Sequence, residues 1–389
     1  MRQASALAQA GHQVTVLAPG ATRFARELRK DGVALMDPPT VRALPAVQLP
    51  LYVANNHLKA WLIDRVTAIA PHAVLIHSEF GLAAAAMRVA QRAGIPVVHT
   101  VHTFFWRAPA WAAPLSPMFR LAHRFATGLL APPRRLAARP FDSALRQATL
   151  AAACQADWVV SPSHHQGETL RSAGVQRLSV ISNTTPVDTT VPASTFSLTN
   201  TRPLQMVWAA RFAPEKRLEV AVEAISIANA TAGREVVQLH VAGGSAEPRA
   251  GVTFHGRVDS ARVRELITSA DAVIITSVGF DNQPMIALEA FGSGRPVIVS
   301  DPVLAREFGD AAVAAPGTSA LDLATAFLAL VKDPQQLRAA AKAARVRASE
   351  QTPGAHAEAI DELVSDLMKG RRNSEVLLGQ AVPRSRLKN

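Results

Sequence analysis

The stretch FDNQPMIALEAFGSG, residues 280–294, places two carboxylates around the start of a predicted helix. Pro284 suits the first helical turn because its missing N–H costs nothing there. The turn then leaves backbone donors at the helix start on three residues, Gln283, Met285 and Ile286. Such donors, with the positive end of the helix dipole, favour a phosphate or a hydroxyl-rich ligand. Asp281 and Glu289 suit the hydroxyls of a sugar and of a ribose, although a capping acid and a surface glutamate would give the same pattern.

A second cluster of charge lies in VWAARFAPEKRLEVAVEAI, which runs from an apolar strand into a helix. Arg211 and Lys216 fall in the intervening loop, at the carboxyl end of the strand, where ligands of open α/β sheets bind. A guanidinium fork and an ammonium five residues apart suit a diphosphate. The alternative is that both are ordinary solvated charges.

Short runs rich in Val, Ile and Leu alternate with segments of helical period, which is typical of parallel sheets covered by helices. Five strands are predicted in the first half, at HQVTVLAP, HAVLIHS, PVVHTVH, DWVVSPS and RLSVIS. Six are predicted in the second half, at LQMVWAA, VVQLHVAGG, VTFHG, DAVIITS, RPVIVSD and AAVAAP. The expected fold is α/β, with two doubly wound Rossmann-like domains facing across a cleft.

A Thr-, Ser- and Pro-rich stretch separates the two halves and predicts a linker. We expect an N-terminal domain over 1–183, a linker over 184–203, a C-terminal domain over 204–370 and a basic, disordered tail over 371–389. The start reads as a helix stopped by Gly11 and followed by a strand, so the opening strand and first turn of a doubly wound domain are missing. We expect that strand, with a glycine-rich turn, to be encoded upstream of Met1.

Length and composition limit the classes of protein. A chain of 389 residues fits two domains. No run reaches the eighteen or so apolar residues of a membrane span. The apolar core of the N-terminal segment is too short for a signal peptide. One cysteine excludes an internal disulfide and fits a reducing compartment. We therefore expect a cytoplasmic protein.

The net charge of +11 is concentrated in the first half of the chain. Residues 1–200 contain 19 Lys/Arg and 9 Asp/Glu, a net charge of +10; residues 201–389 contain 22 and 21, a net charge of +1. A one-sided positive field indicates an anionic neighbour, such as membrane headgroups, nucleic acid or an anionic substrate. A composition rich in Ala and Arg is the alternative.

The motifs RFAPEKR, VTFHGRV and DNQPMIALEAFGSGRPVIVSD, in this order, resemble those of glycosyltransferase family 4, whose members are retaining nucleotide-sugar transferases of GT-B architecture. The resemblance implies that Arg211 and Lys216 hold the donor diphosphate. It implies that Asp281, which replaces the family's first glutamate, and Glu289 hold the sugar and the ribose. The other expected donor-binding residues are Gly256 of the second motif and the three residues at the helix start, Gln283, Met285 and Ile286.

The first half carries the same resemblance in HSEFGLAAAAMRVAQRAGIPVVHTVHTFFW. In the family, a histidine of this segment points into the cleft beside the bond that breaks, and His102 stands at that place. The resemblance implies that His102 steadies the donor sugar as a positioning group.

Residues 118–141, MFRLAHRFATGLLAPPRRLAARPF, combine arginines with Phe, Leu and Met and contain no acid. Such a segment is typical of a surface that lies on an anionic membrane or binds the acceptor. The arginines are Arg120, Arg124, Arg134, Arg135 and Arg139. The alternative is a helical insertion packed on its own domain. Nucleic acid is disfavoured because no nucleic-acid-binding module is recognised.

We therefore expect a retaining glycosyltransferase that moves a hexose from a nucleoside diphosphate sugar to a hydroxyl of a lipid or a cell-envelope glycan. No metal motif is found, and no cofactor is expected beyond the nucleotide-sugar substrate. The enzyme would be cytoplasmic or peripheral on the inner face of the plasma membrane. Two alternatives stay open: a nucleotide-sugar-binding protein without turnover, and a GT-B-like sugar-nucleotide epimerase.

Overall fold

The computed structural model of the chain describes residues 2–39, 52–185 and 202–380. The chain forms two compact units. The first comprises Met1–Pro162, Gln166–Ile181 and His356–Asn389, and the second comprises Ser163–His165 and Ser182–Ala355.

The first unit alternates short strands with longer helices. Its strands are β1 Thr15–Leu17, β2 Ala34–Met36, β3 Val74–Ile76, β4 Val97–Thr100, β5 Trp158–Ser161 and β6 Leu178–Val180. Its helices are α1 Arg2–Gln9, α2 Ala25–Leu28, α3 Asn56–Ile69, α4 Gly81–Arg92, α5 Ser116–Thr127, α6 Pro140–Gln155 and α7 His164–Ser172, the last starting on two residues of the second unit.

These strands form two separate parallel sheets, β1–β2 and β3–β4–β5–β6. In the larger sheet Val74 pairs with Val97 and Val98 pairs with Trp158. Among the described residues no strand joins β1 to β3. The five predicted strands are confirmed, whereas β2, a three-residue strand ended by Asp37 and two prolines, was not expected.

The second unit contains β7 Leu204–Ala209, β8 Val237–Ala242, β9 Val252–Phe254, β10 Ala272–Ile275, β11 Val297–Val299 and β12 Ala312–Ala314. Its helices are α8 Leu218–Ala232, α9 Ser260–Ser269, α10 Met285–Gly292, α11 Pro302–Phe308, α12 Ala320–Lys332 and α13 Pro334–Glu350. All six strands are those predicted from the sequence.

The six strands form one parallel sheet in the order β12-β11-β10-β7-β8-β9, buried between two layers of helices. Side chains alternate across it because successive residues of a strand point to opposite faces. Met206 and Trp208 of β7 enter one apolar cluster with α8 and α12. Val207 enters the other, with α10 and α13. The expected α/β class with two Rossmann-like units is confirmed.

The last helix, α14 Pro353–Gln380, corrects two expectations. From His356 onward it counts with the first unit, although the sequence prediction left the second domain running to residue 370. The reason is its apolar stripe: Ala357 and Ile360 pack in one cluster with Leu7 of α1 and Val98 of β4. The helix also continues through residues 371–380, where a disordered tail was predicted. Residues 381–389 and most of the predicted linker, 186–201, lie outside the described residues.

Candidate functional site

The candidate site lies at the carboxyl edge of the six-stranded sheet, where the strand order reverses. From β7 the chain moves outward to β8 and β9, then returns to place β10 on the other side of β7. The loops that follow β7 and β10 therefore lie side by side. Such a topological switch point is where open α/β sheets bind ligands.

The loop after β7 contains the predicted cations. Arg211 is 81% exposed, and its Nη2 lies 3.5 Å from Glu215 Oε1, so its guanidinium is available to a ligand. Lys216 ends a short 3-10 helix, Pro214–Lys216. The next residue, Arg217, has a φ of 52°, a left-handed conformation that is unfavourable for a side chain with a Cβ. Two hydrogen bonds of the Arg217 guanidinium, to Thr276 O at 3.3 Å and Thr318 O at 2.6 Å, hold it there.

Lys216 is paired with the predicted carboxylate Asp281. Lys216 Nζ donates to Asp281 Oδ1 at 2.5 Å, and Ser277 Oγ donates to the other carboxylate oxygen. The two charged side chains are 19% and 10% exposed. The Lys216 ammonium also lies 5.1 Å from the centre of the Phe280 ring. A cation and an anion predicted to bind different parts of a ligand thus contact each other.

The start of α10 supplies the predicted backbone donors. Met285 is the first residue of the helix. Pro284 directly precedes it, whereas the sequence predicted Pro284 within the first helical turn. The Gln283 side chain is buried: it accepts from Asn183 N at 2.9 Å and donates to Ser182 Oγ at 2.7 Å. Any ligand contact from Gln283 therefore falls to its backbone N–H. Ile286 and Glu289 are half-buried on the same helix.

Gly256 lies beyond β9, with a φ of 73°. It pairs in an isolated bridge with Gly244, and its carbonyl oxygen accepts from Gly243 N at 2.8 Å. A Cβ on Gly243 would lie 1.8 Å from the carbonyl oxygen of Ala210. The structure thus brings the Gly256 loop close to the backbone just before Arg211, through a glycine that the sequence analysis did not single out.

Thr276, which the sequence prediction also missed, connects the loop after β10 to the loop after β7. Its hydroxyl accepts from Trp208 Nε1 at 3.0 Å and donates to Lys216 O at 2.7 Å. Both Trp208 and Thr276 are buried. The available sequence signal was a hydroxyl residue directly after a buried apolar strand. In the structure the Thr276 hydroxyl fixes the position of Lys216 relative to the sheet.

In the first unit, His102 follows β4 and contacts His77, which follows β3. His77 Nδ1 lies 2.8 Å from His102 Nε2, and the rings stack with centroids 5.0 Å apart. One of the two nitrogens must accept the hydrogen bond, so at least one ring is neutral. Both residues keep contact with solvent. Partial desolvation of their rings by the surrounding protein nevertheless lowers the pKa of His77 to about 3 and that of His102 to about 4. His102 is therefore a neutral hydrogen-bonding group at pH 7, which suits positioning.

The five predicted arginines also lie in the first unit. Four of them line one cavity of about 680 Å³ beside α5: Arg120, Arg124, Arg134 and Arg135. Arg139 is the residue that precedes α6. Arg120 Nε donates to Gln147 Oε1 at 2.6 Å, and Arg134 Nη1 donates to Ser172 O at 3.1 Å. His102 is not among the residues that line this cavity.

Among residues 2–39, 52–185 and 202–380, no group of three or more His, Cys, Asp or Glu is placed to hold a metal ion. Within the same ranges, no helix combines the length and the apolar character needed to cross a bilayer.

Two family models match most of the sequence. The model of Glycosyltransferase Family 4 matches residues 1–189, and that of Glycosyl transferases group 1 matches residues 203–333. No curated protein matches the chain in sequence.

Solved structures share the fold over nearly the whole chain. HepE of Anabaena, solved in complex with UDP-glucose, is 16% identical with a TM-score of 0.63, covering 94% of each chain. Sucrose-phosphate synthase of Thermosynechococcus elongatus is 18% identical with a TM-score of 0.64, covering 95% of this chain and 92% of its own. At these identities the likeness shows the fold. This fold is GT-B. The two family matches show that the chain belongs to the glycosyltransferases of family 4 and group 1.

Proposed function

We propose that this chain is a retaining glycosyltransferase that transfers a hexose from a nucleoside diphosphate sugar to a hydroxyl of a lipid or a cell-envelope glycan. The observation that carries the proposal is the convergence of Arg211, Lys216, Asp281 and the start of α10 at the switch point of the second unit's sheet. Family membership supplies the reaction class. HepE, with the same fold, binds UDP-glucose, which supports a nucleotide-sugar donor here.

The donor diphosphate would lie against Arg211, Lys216 and the backbone N–H groups of Met285 and Ile286. Negative charge grows on the diphosphate as the bond to the sugar breaks, and donors already in place stabilise it without reorganisation. Lys216 and Arg211 offer charge-assisted hydrogen bonds, and the N-terminal end of α10 adds a favourable dipole. We propose that these groups, rather than a cofactor, carry the leaving-group stabilisation.

Glu289, one to two turns into α10, would accept hydrogen bonds from the ribose. Asp281 would contact the donor sugar only after sharing or releasing its contact with Lys216. His102 of the first unit, neutral at pH 7, would contribute a hydrogen bond to the sugar. The basic first unit would bind the acceptor, and we propose a cytoplasmic location with peripheral attachment to the inner face of the plasma membrane.

A transfer assay with a panel of nucleoside diphosphate sugars and mass-spectrometric product detection tests the reaction, and NMR of the product's anomeric proton tests retention. Inertness toward every donor and acceptor, together with measurable nucleotide binding by calorimetry, would favour a binding protein without turnover. A changed sugar without any acceptor would favour an epimerase.

The donor site is tested separately by UDP affinity. Arg211→Ala is expected to weaken UDP binding about 10- to 100-fold, the loss of one charge-assisted contact. Because Arg211 is exposed, the variant should unfold at the wild-type temperature. Arg234→Ala, an exposed arginine between α8 and β8, is the matched control and should bind UDP like the wild type. Unchanged affinity in Arg211→Ala would contradict the proposed site.

A further inference from the structure

The exposed face of α5 is apolar. Met118, Leu121 and Phe125, spaced by three and four residues, are 63%, 68% and 79% exposed. This spacing places them on one face of the helix. Trp111 before the helix and Leu130 after it are 73% and 62% exposed. These five side chains form what we call the α5 ridge. A surface helix ordinarily exposes its polar face to solvent and buries its apolar face. In α5 this arrangement is reversed.

The opposite face of α5 is polar and is fixed by hydrogen bonds. Ser116, His123 and Thr127 are buried. His123 Nε2 lies 3.0 Å from the carbonyl oxygen of Glu79, and Thr127 Oγ1 donates to His123 O at 2.7 Å. Burial lowers the pKa of His123, which keeps the buried ring neutral. Turning the ridge inward would break the contact with Glu79 and expose the polar residues. The helix itself packs on its own unit, as the alternative left open by the sequence has it, but the ridge stays exposed.

The charged side chains of the segment that contains the ridge are all positive. Residues 107–141 contain six arginines and no Asp or Glu. Arg124 is exposed beside the ridge on α5, and it lines the cavity of about 680 Å³ together with Leu130, a ridge residue. Apolar side chains surrounded by arginines match the two layers of an anionic bilayer surface, acyl chains below and phosphates above.

We propose that the α5 ridge docks on an anionic lipid bilayer, with its apolar side chains among the acyl chains and the arginines on the headgroup phosphates. A second copy of this chain is a poorer occupant, because pairing two such faces would bring two sets of six arginines together. The inference deepens the proposed peripheral attachment by naming the surface that makes it, and it does not depend on the transfer reaction.

Sedimentation with lipid vesicles tests the proposal without nucleotide or acceptor. The wild type should bind vesicles of phosphatidylcholine with 30% phosphatidylglycerol and bind pure phosphatidylcholine far less, and added salt should weaken the binding. Leu121→Glu with Phe125→Glu should lower the affinity for the anionic vesicles at least about tenfold, because two apolar side chains are lost and two anions gained. Both positions are exposed, so the circular dichroism and melting temperature should not change.

Leu321→Glu is the matched control: Leu321 is 63% exposed on α12 of the second unit and should be replaceable without effect on vesicle binding. Failure of the wild type to bind anionic vesicles would overturn the proposal, as would wild-type binding by the double variant. A wild-type dimer that the double variant converts to a monomer, without vesicle binding by either, would assign the ridge to self-association instead.

Discussion

Lys216 and Asp281, 65 residues apart in the chain, form an ion pair of 2.5 Å at the mouth of the candidate donor site. In the donor site that we propose, the lysine would contact phosphate and the aspartate would contact sugar hydroxyls. Without a ligand, each neutralises the other in a largely buried position. Loss of one partner would leave an uncompensated charge, which is costly away from water.

The first prediction concerns Asp281→Asn. Without the carboxylate, the ligand-free protein should lose about 1–3 kcal/mol of unfolding free energy, less than for a fully buried pair because Lys216 keeps some solvent contact. A diphosphate would then supply the missing negative charge. UDP should therefore raise the melting temperature of Asp281→Asn by more than it raises that of the wild type.

Thermal unfolding with and without UDP measures this difference. Asp281→Glu keeps the charge and should respond to UDP like the wild type. A smaller UDP response in Asp281→Asn than in the wild type would mean that Asp281 assists nucleotide binding instead of competing for Lys216.

The sequence was sufficient to locate every described strand except β2, since buried parallel strands read as apolar runs. It also placed Arg211 and Lys216 in the loop after β7 and Glu289 on the helix after β10, because an apolar run followed by a helical period marks each strand-loop-helix segment. The Lys216–Asp281 pair could not be read from it, since no local rule relates side chains of two loops that meet only through the sheet order. Which face of α5 is exposed could not be predicted either. The partners that bury its polar residues, such as the Glu79 carbonyl, lie elsewhere in the chain.

The docking of α14 shows a further limit. Its stripe, which includes Ala357 and Ile360, predicts a buried face, but periodicity does not identify the surface that the face covers. That surface, on α1, β4 and β5, is formed by residues more than 180 positions earlier in the chain.

The second prediction concerns Thr276, whose hydroxyl joins Trp208 to the Lys216 carbonyl. Thr276→Val keeps the shape but leaves the buried indole N–H without its acceptor, which should cost about 1–3 kcal/mol of unfolding free energy. It also releases the backbone of Lys216, so UDP affinity should fall. Urea unfolding and calorimetry measure the two effects.

Thr276→Ser is the conservative partner of that variant. It retains the hydroxyl and should recover UDP affinity, losing only the packing of one methyl group. If serine bound UDP as weakly as valine, the methyl rather than the hydroxyl would be the group that places the loop.

The third prediction is a pH dependence of stability that arises at Glu307. Its carboxylate accepts from His164 N at 2.9 Å and from His165 N at 3.1 Å, and it lies 3.1 Å from His165 Nδ1. The Glu307 side chain is 4% exposed. Burial alone would raise the pKa of Glu307. The hydrogen bonds from His165 and from the two backbone N–H groups outweigh burial and lower the pKa from 4.5 to about 2.

Because the folded-state pKa of Glu307 lies below the unfolded one, its contribution is complete above about pH 4.5 and disappears as the pH falls toward 2. A shift of this size corresponds to about 3 kcal/mol. Glu307→Gln should therefore be less stable than the wild type at pH 7, and the gap between them should narrow steadily from pH 5 to pH 3. Urea unfolding across this range measures the gap, with Glu247→Gln, at an exposed residue, as the control. A gap that stayed constant with pH would mean that the ionised carboxylate of Glu307 contributes nothing beyond its shape.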